Sequence, residues 1–79
     1  MIMLYLELPA IFAQGTFKLK INPLTIMAYL EQPDNNTAIY INGGTMFIIG
    51  MSIEEYEQAV SIYFKEANKV NRSNLKIIN

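Results

Sequence analysis

The stretch TAIYINGGTMFIIGMSIEEYEQAVSIYFKEANK, residues 37–69, decides how the rest of the chain is read. Thr37 to Ile41 and Thr45 to Ile49 are rich in β-branched and aromatic residues, which marks two strands. Between them Asn42-Gly43-Gly44 supplies the positive φ that a hairpin turn demands. A two-residue turn and a longer loop or bulge that uses Gly44 both fit these residues. Ser52-Ile53-Glu54-Glu55 follows directly and matches a capping box, in which the serine hydroxyl accepts from the third amide and the glutamate reaches back to the cap. Met51 and Tyr56 occupy the positions of a hydrophobic staple. Beyond the cap, Ile53, Tyr56, Val60, Tyr63, Phe64 and Ala67 recur at spacings of three and four, so they share one helix face. Glu54, Glu55 and Glu57 near the start and Lys65 and Lys69 near the end suit the helix dipole. The nearest apolar surface for that face is Ile39, Ile41, Phe47 and Ile49 of the hairpin.

Upstream, Met1 to Leu8 alternates with period two, placing Ile2, Leu4, Leu6 and Leu8 on one side, and Pro9 closes or bends this first strand. Ala10 to Gly15 is open between a turn and a continuation, with Gln14-Gly15 the natural point of reversal. Phe17 to Ile21 alternates again, with Lys18 and Lys20 pointing away from Phe17, Leu19 and Ile21. Asn22-Pro23 interrupts it. Thr25 to Gln32 reads as a strand rather than two helical turns, because a helix there would be apolar around its whole circumference. Pro33-Asp34-Asn35-Asn36 is a turn by composition. After Val70, Asn71-Arg72-Ser73-Asn74 is expected to end the helix, leaving Leu75-Lys76-Ile77-Ile78 as a tail that frays, adds a strand or clasps a neighbour. The expected fold is α+β: a small, mainly antiparallel sheet of four to five strands packed on one C-terminal helix, with residues 1–70 as a single domain and 71–79 as a tail.

Composition narrows the function. The chain has 79 residues, no cysteine and no histidine, which removes the commonest general base, the commonest thiol nucleophile and the usual transition-metal ligands. No metal or cofactor site and no enzymatic activity are expected. A carboxylate pair from Glu7 and Glu31, if both stand on the outer sheet face, is the sole acid–base candidate. Gly43-Gly44 and Gly50 lack the spacing of a phosphate-cradling loop. The net charge of −1 provides no field that would draw nucleic acid or anionic lipid. Met1 to Ala13 carries Glu7, lacks a basic start and is too short to span a bilayer, so no membrane segment is expected. The lack of cysteine fits a reducing compartment, and a cytoplasmic protein is expected.

Hydrophobic residues make up 52 % of the chain and charged residues 16 %, an apolar balance for so small a domain. One helix covers one face of a sheet, so the surplus is most simply used between subunits, and a homo-oligomer is expected. The outer face so derived carries Tyr5, Lys18, Lys20, Met27, Tyr29 and Tyr40, with Met46 and Ile48. Tyrosine and methionine suit contact surfaces. That face can meet its own copies or a protein partner. Alternatively, its lysines and tyrosines can hold a small anionic ligand or single-stranded nucleic acid.

Residues 17–64 resemble the FlbD-like proteins of flagellar and swarming motility: Ile21-Asn22-Pro23 ending a strand, Ile26, Glu31 before a polar turn, Thr37-x-Ile39, a glycine turn, an apolar strand, and Ser52-x-Glu54-Glu55 opening the helix. The chain departs from that pattern in its longer apolar N-terminal strand, in Gly43-Gly44-Thr45 where a basic residue often follows glycine, and in its C-terminal tail. The resemblance implies a small regulatory or adaptor role and no catalytic motif. The expected function is therefore a small bacterial or phage binding protein that regulates or adapts by protein contact. The alternatives are a phage-encoded inhibitor or sponge, which blocks a host protein or sequesters a small anion, and a weak nucleic-acid-binding module.

Overall fold

The computed structural model describes the backbone of residues 5–78 and the side chains of residues 5–68. Five strands precede one helix: β1 (Leu6–Phe12), β2 (Gly15–Ile21), β3 (Ile26–Gln32), β4 (Asn36–Ile41), β5 (Met46–Ile49) and α1 (Ile53–Ile78). The strands form a single sheet in the order β2-β1-β5-β4-β3. Every neighbouring pair is antiparallel. The fold is a small α+β domain with the helix on one face.

The hairpin of β4 and β5 forms as its residues dictate, with the longer of the two loops. Gly43 and Gly44 take φ of 102° and 94°, a region costly for any residue with a Cβ. The Ile41 amide donates to the Thr45 carbonyl at 2.7 Å and closes the loop. The capping box is also present: the Ser52 amide donates to Glu55 Oε1 at 2.9 Å, and the Glu55 amide donates to Ser52 Oγ at 3.2 Å.

β1 runs straight through Pro9 instead of ending there. A proline inside a sheet is tolerated where its missing amide faces no ladder partner. The Pro9 carbonyl accepts from Gly50 at 2.8 Å, so the amide position of Pro9 faces the β5 side just where the β1–β5 ladder stops. The chain then reverses at Ala13-Gln14. Residues 1–4, where the first strand was expected to begin, lie outside the described residues.

α1 continues to Ile78 and does not stop at Val70. Asn and Ser are only mildly unfavourable inside a helix, and no Gly or Pro follows Gly50. The backbone of the tail is therefore helical, while the side chains of Leu75, Ile77 and Ile78 lie outside those described, as does any clasp they were expected to make. At 1.5 Å per residue the helix is about 39 Å long, against about 23 Å for a seven-residue strand. The helical residues packed on the core are Tyr56, Ala59, Val60 and Tyr63, all in the first three turns.

The core between helix and sheet holds Leu6, Leu8, Ala10, Ile21, Ile39, Ile49 and Tyr56. Thr37 is fully buried among them, and its hydroxyl donates to the Met51 carbonyl at 3.0 Å. That bond ties β4 to the turn entering the helix.

Candidate functional site

Period-two alternation sends every second side chain away from the helix, and the register shows which ones. Ile11 lies opposite Ile48, Ile48 opposite Ala38, and Ala38 opposite Leu30, so these four form an unbroken apolar row across β1, β5, β4 and β3. A second row sets Met46 opposite Tyr40 and Tyr40 opposite Ala28. Antiparallel sheets with one solvated face normally carry polar residues there. Here Leu30 is 54 % exposed, Met46 47 % and Tyr40 39 %. The open face is apolar over its middle.

Its charged groups lie on the β1–β2 side, and the uncharged pair Gln32 and Asn36 lies at the far end of β3 and β4. Lys18 Nζ lies 3.4 Å from Glu7 Oε2, with both side chains more than half exposed. Lys20 stands directly across from Glu7 in the register. Glu7 thus lies between the two lysines and offsets part of their charge. A shallow, open depression lined by Glu7, Pro9, Thr16 and Lys18 marks this corner. Tyr5 is exposed just before β1.

Three residues read onto this face from the sequence, Met27, Tyr29 and Glu31, are placed differently by the structure. The register of β3 against β4 shifts between Ile26 and Ala28. A bulge of this kind inverts the phase of every later residue. Ile26 faces the core opposite Ile41, but Ala28 and Leu30 then turn to the open face. Tyr29 and Glu31, opposite Ile39 and Thr37, turn toward the helix. Met27 sits at the bulge itself, 68 % exposed. Of the six expected contact residues, Lys18, Lys20 and Tyr40 share the open face, whereas Tyr29 is on the other side. Ile11, Ala38 and Leu30 were missed. Ile11 was missed because Pro9 reads as a strand end, and Leu30 because nothing in its neighbours announces the bulge. Glu7 and Glu31 stand on opposite faces, so they do not assemble into a carboxylate pair.

Tyr29 instead fastens the edge strand to the helix. Its hydroxyl donates to Glu57 Oε2 at 2.8 Å, and its ring lies 4.8 Å from that of Tyr56, centroid to centroid. The bond to Glu57 raises the Tyr29 pKa, because ionisation would surrender the shared proton beside a carboxylate. Burial pushes the Tyr56 phenol up to about 12, with a smaller contribution from Tyr29.

Among the described residues no group of three or more acidic side chains is placed to hold a metal ion. Among them, too, no helix is long and apolar enough to cross a membrane. No protein-family model, curated protein or solved structure matches the chain.

Proposed function

We propose that this chain is a non-enzymatic binding protein that works as a homo-oligomer in the cytoplasm and regulates or adapts by protein contact through the open face of its sheet. The observation that carries this reading is the row Ile11, Ile48, Ala38 and Leu30, flanked by Tyr40 and Met46, on a face that no other element of the described chain covers. Ala38 is itself shielded at 1 % exposure, but Ile11, Leu30, Tyr40 and Met46 around it are exposed, and exposed apolar surface of this kind marks contact sites. Tyrosine and methionine beside that row, with charge held to one rim, is the composition of a contact surface. The resemblance of residues 17–64 to FlbD-like motility proteins supports the same regulatory or adaptor role.

Sequestration of a small anion has less support, because Glu7 lies between the two lysines such a ligand would use. Native mass spectrometry over a concentration series tests the proposal. Ligand-free dimers or higher oligomers are the expected result. A compact monomer at high concentration overturns the reading, and a co-purifying small anion at stoichiometric occupancy replaces it with the sequestering one.

A further inference from the structure

We propose that two copies of this chain join edge to edge through β3, antiparallel about Leu30, and so merge their open faces into one surface. The proposal rests on the homo-oligomer reading above and specifies how the copies meet. It starts from an asymmetry between the two edges of the sheet. Exposed edge strands invite pairing with another chain, and lysines are a common means of preventing it. β2 carries Lys18 and Lys20, whereas β3 has no lysine, arginine or proline from Ile26 to Gln32. β3 carries one carboxylate, Glu31, and a bulge at its start, but from Ala28 to Gln32 its ladder with β4 is regular and free of lysine.

The backbone of β3 is set for such pairing. Ile41 bonds to Thr45 on the β5 side, so alternation directs the backbone groups of Tyr40, Ala38 and Asn36 toward β3. Their partners Ala28, Leu30 and Gln32 face β4 in return, which leaves the amides and carbonyls of Tyr29 and Glu31 pointing outward. The attachment of Tyr29 to Glu57 and Tyr56 holds this edge against the helix.

The edge is also complementary to itself. Antiparallel pairing about Leu30 sets Tyr29 against Glu31 of the second copy, and Glu31 against its Tyr29, each exchanging two backbone hydrogen bonds. The acidic side chains are not opposite one another, so the like-charge penalty of a directly facing pair is avoided. On the open face Leu30 meets Leu30, and the row Ile11, Ile48, Ala38, Leu30 continues without a break into the second sheet.

The chain has no cysteine, so an introduced one reports directly on register. At the proposed dyad the two Leu30 positions form a non-hydrogen-bonded pair with Cα atoms about 4.5 Å apart, within disulfide range. Leu30→Cys in the full-length chain should therefore give a covalent dimer under mild oxidation. Ala28→Cys, about 13 Å from its counterpart in this arrangement, should not. Glu31→Pro deletes an outward amide without touching the β4 ladder and should weaken self-association at least tenfold by native mass spectrometry. Lys20→Pro, the equivalent change on β2, should leave it intact. Circular dichroism checks that both proline variants fold, and the cysteine pair decides the matter should either fail to. A wild-type oligomer in which Leu30→Cys stays uncrosslinked overturns edge pairing and leaves the homo-oligomer reading standing. A monomeric wild type overturns both.

Discussion

Ile39 and Ile48 are the same residue type on adjacent strands, yet Ile39 has no exposed surface and Ile48 keeps part of its own. One points at the helix and the other away from it. The same contrast separates Leu8 from Ile11 on β1 and Ile49 from Met46 on β5. Residue chemistry differs little between the two faces, so the hydrophobic effect alone does not choose the buried one. The capping box and the short Gly50–Ser52 connection stand where the helix turns back over one side. The other side is left with Ile11, Leu30, Tyr40 and Met46 exposed.

Matched truncations on the two faces give the sharpest test of this contrast. Ile39→Ala should cost about 2–5 kcal/mol in urea denaturation, the range for a buried aliphatic that leaves a cavity. Ile48→Ala, measured at a dilution where the chain is dissociated, should cost well under half as much. Equal costs would mean that the faces are not different in kind.

A pH series probes the covered face through Tyr56. Its folded pKa of about 12 exceeds the ordinary phenol value of about 10, so the folded state holds a proton that the unfolded chain has already lost across that interval. The stability contributed is fully present below about pH 10 and falls as pH rises toward about 12. The urea midpoint should drop through this window in the wild type and drop less in Tyr56→Phe. An identical pH profile for the two proteins would show that the packing around Tyr56 is looser than the structure has it.

The smallest expected effect concerns the capping box at the start of the helix. Ser52→Ala removes the acceptor for the Glu55 amide and should cost about 1 kcal/mol, read from a thermal melt. A larger loss, together with exposure of the Ile39 face to a hydrophobic dye, would show that the cap decides which face is covered as well as stabilising the helix end.

The open face was partly legible from its residues. Lys18, Lys20 and Tyr40 follow from simple alternation within uninterrupted strands. Tyr29 does not, because a register shift between Ile26 and Ala28 lies upstream and inverts its side. Leu30 was hidden by the same shift. Ile11 was hidden by Pro9, whose effect on a strand depends on which neighbour its missing amide would have faced.

Amino-acid order alone was enough for the hairpin at Gly43 and Gly44, the capping box at Ser52 and Glu55, and the helical stripe through Tyr56, Val60 and Tyr63. Each of these involves groups within a few residues of one another, so local sterics and hydrogen bonding settle them. The folded arrangement was needed for the phase of β3, the passage of β1 through Pro9, and the contrast between a lysine-bearing edge and one free of lysine. Those outcomes depend on which strand lies beside which, and a one-residue slip between distant segments moves a side chain from one face to the other.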